Sequence, residues 1–232
     1  MNLFLFFFIF FLIGCEDDHS NYFPLNKIKS WNYNVKIIPE IDETKEYKKT
    51  NLSLGEKKIL INDKSIKIFP VLKEDGTIFY YQITKNGVFR NGFKFAKDLQ
   101  INQEKKRVVI PYPVNVGDKW KVDSKTFLIL KRYPYYDYRA TTDFVVNYKV
   151  VSINETIKTP LGKINKCLKI VGNGKTSFIG DSEIGSIQIE VSSEEWYAKD
   201  IGLVKTVRIE KTNTDLFGTT KMIQVLENYS KR

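Results

Sequence analysis

Apolar and polar residues alternate with a period of two along much of the chain. Ile187, Ile189 and Val191 are separated by Gln188 and Glu190, and Val207 and Ile209 alternate with Arg208 and Glu210. Successive side chains of a strand point to opposite faces, so this pattern describes strands with one dry and one wet face. Such strands belong to antiparallel sheet. The pattern predicts strands over 58–62, 65–72, 77–84 and 88–95, the last as short strands or a meander, and in the second half over 119–131, 141–153, 164–172, 187–197, 204–212 and 219–229. Asp75-Gly76 and Asn86-Gly87 are hairpin signals, because Asn, Asp and Gly accept positive φ. Pro160-Leu161-Gly162, Gly172-Asn173-Gly174 and Asp200-Ile201-Gly202 read as further turns. Helical periodicity is weak; 94–104 is its best candidate.

Composition agrees with this reading. Alanine is nearly missing, aromatic residues make up 14% of the chain, and β-branched and aromatic residues fill the periodic segments. One motif occurs twice, at a constant offset of 89 residues: Phe23-Pro24-Leu25-Asn26 leading to Trp31, and Tyr112-Pro113-Val114-Asn115 leading to Trp120. Proline suits the start of a strand, Asn closes a turn through its side chain, and Trp brings a large apolar surface to the core. The expected fold is mostly β, a curved antiparallel sheet or half-barrel of hairpins and meanders with little helix. The repeat divides it into two β subdomains, 22–105 and 106–232.

The first residues have a different character. From Leu3 to Ile13 the chain is unbroken Leu, Phe and Ile, and no charged side chain occurs before Glu16. Eleven apolar residues are too few to cross a bilayer core, which needs about 20 as a helix. They suit the apolar region of a secretory signal. The run closes on Leu12-Ile13-Gly14-Cys15, which resembles the lipobox of bacterial lipoproteins. That resemblance implies cleavage after Gly14, a diacylglyceryl thioether on Cys15 and an acylated new N-terminus. The n-region departs from the pattern in having no Lys or Arg. Residues 1–14 are thus expected to be a lipoprotein signal peptide and 15–21 an acidic tether.

The net charge of +10 lies in the part after the leader. Lysines alternate with apolar residues along nearly every predicted strand, which describes a solvated sheet face. Export argues against nucleic acid as the partner and leaves an anionic lipid surface or an acidic envelope protein. Nothing suggests catalysis. The only histidine, His19, is in the tether, so neither a Ser-His-Asp nor a Cys-His arrangement can form in the body of the chain. Cys167 reads as a small buried thiol, and no cofactor or metal cluster is indicated. Gly180 to Glu183 offers a weak calcium loop, and Glu194-Glu195 point to opposite faces if they lie on a strand.

Four islands carry a wider resemblance. They are Phe23-Pro24-Leu25 with Trp31, Tyr112 to Trp120, Thr159-Pro160-Leu161-Gly162 to Cys167, and Glu195-Trp196-Tyr197-Ala198 with Gly202-Leu203-Val204-Lys205. Together they resemble a group of poorly characterised bacterial envelope lipoproteins, akin in fold to the Lol-type lipoprotein carriers. The resemblance implies an antiparallel sheet wrapped around an apolar hollow. In this reading Trp31, Trp120, Trp196 and Tyr197 line or support the concave side. The aromatic and cationic segment with Tyr133, Tyr135, Tyr136, Tyr138 and Arg139 reads the rim. The expected protein is non-enzymatic and lipid-anchored in the envelope, at the outer membrane rather than the inner. It would bind a lipid or acyl chain or a protein segment on its curved sheet. The alternative is a scaffold subunit docking through sheet edges and a basic face.

Overall fold

The computed structural model describes residues 22–232 apart from 42, 62–63, 127, 133–135, 141, 180–184 and 216, and the backbone alone of 60–61, 64, 128–132 and 136–140. The strands are β1 (Ile28–Pro39), β2 (Lys45–Ser53), β3 (Lys57–Ile61), β4 (Lys64–Lys73), β5 (Ile78–Thr84), β6 (Gly87–Lys94), β7 (Asn102–Pro111), β8 (Lys119–Lys125), β9 (Leu128–Arg132), β10 (Tyr136–Ala140), β11 (Asp143–Thr159), β12 (Gly162–Ile179), β13 (Ser186–Ala198), β14 (Gly202–Thr212) and β15 (Thr219–Lys231). Thirteen of them form one antiparallel sheet, in the order β7-β6-β5-β4-β2-β1-β15-β14-β13-β12-β11-β8, with β3 attached to β4. Two meanders, β4 to β7 and β11 to β15, are joined where β1 pairs with β15. The expected mostly-β, curved antiparallel architecture is what the chain adopts. The point 105/106 falls inside β7.

The sheet curls until its end strands meet. Arg107 Nη1 on β7 donates to the Asp123 carbonyl on β8 at 2.7 Å, although these strands share no ladder. The inner face holds the core, including Val35, Val150, Ile170, Ile187, Ile189, Val204 and Leu226, all nearly inaccessible. Alternation along β11 illustrates the cause: Phe144, Val146, Tyr148 and Val150 face inward while Asp143, Val145, Asn147 and Lys149 are exposed. The segment before β1 closes one end. Pro24 O accepts from the N–H groups of Lys27 and Ile28, Leu25 is buried, and Phe23 packs on Tyr81 and Tyr197 at 5.1 and 6.4 Å between ring centres.

Three local expectations change. Residues 94–104 are not a helix: Asp98 accepts from Phe95 N–H and Asn102 Nδ2, closing a turn from which β7 departs. Gly172-Asn173-Gly174 is not a turn but the middle of β12. A Cβ on Gly172 would lie 2.6 Å from Tyr148 Cε1, and one on Gly174 would lie 2.6 Å from Phe144 Cε2. These glycines therefore mark where neighbouring rings lie flat on the strand. The stretch 119–131 divides after β8, where Thr126 N–H bonds to Thr142 O, and continues as the separate β9–β10 ladder.

Candidate functional site

Behind the meeting of β7 and β8 lies a hollow of about 160 Å³. Its walls come from six strands: Tyr81 on β5, Arg90 on β6, Arg107, Val108 and Val109 on β7, Trp120 and Val122 on β8, Tyr148 on β11, and Glu195 and Tyr197 on β13. Trp120 and Tyr148 occupy one cross-strand pair, and their rings stack at 5.6 Å with 15° between planes.

Charges are arranged unequally around it. Arg90 forms a two-pronged pair with Glu104, with Nε to Oε2 at 2.6 Å and Nη2 to Oε1 at 2.7 Å. Its guanidinium lies 4.5 Å from the Phe79 ring centre, and Lys73 Nζ lies 5.4 Å from the same centre. No carboxylate is within ion-pair distance of Lys73 or Arg107 among the described residues. Burial pulls the Lys73 ammonium down to about 7, and the charges of Lys49 and Arg90 add to the effect. Burial likewise lowers Arg107, helped by Arg90. Farther along the inner face, Lys49 Nζ donates to the buried Gln224 Oε1 at 3.2 Å, and Arg208 pairs with Glu210 at 2.7 Å.

Glu195 is the carboxylate of the hollow. Tyr197 donates to Oε2 at 2.6 Å and Tyr148 to Oε1 at 3.5 Å. Burial raises its pKa, against the opposing pull of the Tyr197 hydrogen bond and of Arg107. Its neighbour Glu194 faces outward and pairs with Lys169 at 2.9 Å, as expected for adjacent strand positions. The indole N–H of Trp120 is buried and has no hydrogen-bond partner among the described residues. Among the described residues four other buried polar atoms share this condition, Trp196 Nε1 and the Tyr112 hydroxyl among them, and Trp120 Nε1 is the one that belongs to the lining of the hollow.

Of the residues expected to line or support the concave side, Trp120 and Tyr197 reach the hollow. Trp31 is buried elsewhere, donating from Nε1 to Ile201 O at 2.6 Å in the β13–β14 turn. Trp196 lies on the opposite face, in one row with Lys169 and Lys205, whose ammonium groups sit 4.9 and 5.2 Å from its ring centre. Cys15, Tyr133 and Tyr135 lie outside the described residues, as does the loop from Gly180 to Glu183. Tyr136, Tyr138 and Arg139 belong to β10, of which only the backbone is described.

Sequence reading missed Arg90, Arg107, Lys73 and Glu195. It assigned the positive charge to a solvated face, whereas part of it lies within the curl. The lining is charged and phenolic rather than apolar. A second, larger concavity of about 730 Å³ lies on the outward face around Asn147, Asn173 and Ser192. There the exposed Lys175 and Glu190 pair at 2.5 Å.

No protein-family model and no curated protein matches the chain. Two solved structures are similar in fold. One is a lipoprotein candidate from Parabacteroides distasonis, 16% identical, with a TM-score of 0.44 over 90% of this chain and 98% of that one. The other is an exported-protein candidate with a YmcC-like fold from Bacteroides fragilis, 14% identical, with a TM-score of 0.45 over 91% of this chain and 99% of that one. At these values the likeness carries nothing further about what this chain does.

Proposed function

We propose that the protein is a non-enzymatic binding module of the bacterial envelope, held by lipid on Cys15 and receiving its ligand in the hollow behind β7 and β8. The observation that carries the binding reading is the hollow itself. Ten residues from six strands converge there, and one buried donor in the lining, Trp120 Nε1, is left without a partner among the described residues. Convergent polar groups in a concave site are what orient a bound molecule.

The ligand class moves from that expected of an apolar hollow. A volume of 160 Å³ is below the roughly 300–1,000 Å³ usual for small-molecule pockets. A lining of two arginines, a glutamate and three tyrosines would leave charged groups without partners against an acyl chain. A compact polar ligand fits both facts. The leader ending at Cys15 supports the anchor, with the outer membrane as the favoured destination.

Two measurements test the proposal. Mass spectrometry of protein from native membranes should find an N-terminal Cys15 bearing diacylglyceryl and acyl mass, and Cys15→Ser should move the chain to the soluble fraction. Native mass spectrometry of the detergent-extracted protein should find a small polar species, diminished by Arg107→Gln. An intact Met1, or an empty protein that takes up no polar ligand, defeats the respective half.

A further inference from the structure

We infer that the hollow receives a compact anionic group of the phosphate or carboxylate class, held by Arg107, Arg90 and the indole N–H of Trp120. The inference rests on the binding reading above and narrows it to a chemistry.

Three independent features point to an anion. Among the described residues Arg107 makes one hydrogen bond, from Nη1 to the Asp123 carbonyl, and has no carboxylate at ion-pair distance. A guanidinium carries five N–H donors in a planar fork suited to two oxygens at once, so most of this capacity remains for a ligand. Arg90 has its Nε and Nη2 committed to Glu104, which fixes the plane of its guanidinium at the wall of the hollow. Trp120, on the facing strand, offers a donor and no acceptor, and that donor is unpartnered among the described residues. An oxyanion accepts from all three; a cation would accept from none.

The charges on the inner face lean the same way. Lys49, Lys73, Arg90, Arg107 and Arg208 are met by Glu104, Glu195 and Glu210, and Lys73 and Arg90 share one aromatic ring. Lys73 shares the Phe79 ring with Arg90 and is not part of the hollow's wall. Glu195 is the carboxylate in the lining itself, and its oxygens already accept from Tyr197 and Tyr148. At about 160 Å³ the hollow has room for a phosphate or carboxylate.

The test uses the full-length protein in detergent, titrated with inorganic phosphate and with acetate while tryptophan fluorescence and melting temperature are followed. Saturable binding is expected, weakened about tenfold or more by Arg107→Gln and less by Arg107→Lys, which keeps charge but loses the fork. Trp120→Phe should remove most of the fluorescence response while the melting-temperature rise persists in part. Melting curves of each variant without anion separate lost binding from lost folding. Vesicles of phosphatidylglycerol form a second arm: competition with phosphate assigns the group to a lipid headgroup, and its absence assigns it to a soluble anion, either outcome supporting the site. Anion binding that Arg107→Gln leaves unchanged belongs to the outer lysines and overturns the inference. A neutral or cationic molecule that binds and is lost in Arg107→Gln overturns the anion chemistry while the hollow stays a binding site. If no probe distinguishes Arg107→Gln from the natural protein, both readings fall.

Discussion

Gly172 on β12 stands directly across from Tyr148 on β11, and the Tyr148 ring fills the space a side chain at 172 would need. The same ring stacks on Trp120 and reaches Glu195 through its hydroxyl, so the glycine sets the position of one wall of the hollow. Gly172→Ala should therefore destabilise the fold. Alanine would reduce the freedom of the unfolded chain, a gain of about 0.4–1 kcal/mol where the site accepts it. Forcing a Cβ to 2.6 Å from a packed ring costs more, about 1–3 kcal/mol for overpacking. The urea midpoint should fall, and the Trp120 fluorescence maximum should shift as the stack is displaced. A midpoint equal to or above that of the natural protein would show that the ring moves aside freely.

That relationship also explains what could be read from the chain and what could not. Phe144, Val146 and Tyr148 alternate with exposed residues, so β11 declares itself. In β2 and β7 the inward positions include Lys49, Asn51, Glu104 and Arg107, and polar residues on both faces erase the alternation. The charged hollow was hidden for the same reason. Arg90 and Arg107 sit in separate lysine-rich segments and become neighbours only through the β6–β7 ladder. Trp120 was legible because its turn motif occurs twice, although the turn is closed by the Asp118 carboxylate, which accepts from the Asn115 backbone N–H at 2.8 Å, rather than by the Asn115 side chain. Gly172 and Gly174 misled, since a glycine that yields space to a ring looks, in sequence, like one that turns the chain.

Glu195 should make stability depend on pH in the acid range. Burial raises its folded pKa above the ordinary 4.5, so the folded protein keeps this proton after the unfolded chain has lost it. Stability from this group is full below about 4.5 and is lost as pH rises through the folded value. Glu195→Gln keeps an acceptor for the Tyr197 hydroxyl and removes the charge. It should flatten that loss, giving a higher melting temperature than the natural protein at neutral pH and little difference at pH 4. Equal melting curves at both pH values would mean that the Glu195 carboxylate is as well solvated folded as unfolded.

Lys73 acts in the alkaline range. Its folded value of about 7 lies below the unfolded 10.5, so between these pH values the unfolded chain binds the extra proton. Stability should accordingly rise with pH across that window, the charged lysine being a burden that is complete below about 7 and gone above 10.5. Lys73→Met retains the apolar stem over Phe79 and removes the ammonium. It should be more stable than the natural protein at pH 6, with the gap closing toward pH 10. Urea midpoints measured across this range check the slope, and a parallel pair of curves would assign the rise to other groups.

Thiol counting joins the fold to the anchor. Cys167 is fully buried, its sulfur lies 3.7 Å from the Ile164 carbonyl, and burial raises its pKa. Since the thiolate is the reactive form, Cys167 should be inert in the folded protein. The chain has only one other cysteine, Cys15. Protein extracted from native membranes should therefore show no fast-reacting thiol towards a chromogenic disulfide reagent and one thiol after unfolding in urea. The same chain made without the lipid-transferring machinery should show an additional thiol after unfolding, because Cys15 would then carry a free sulfur. Two thiols in unfolded native material would remove the lipid from Cys15. Fast labelling of Cys167 in the folded protein would show instead that the β11–β12 hairpin opens, a stability failure separable from the question of the anchor.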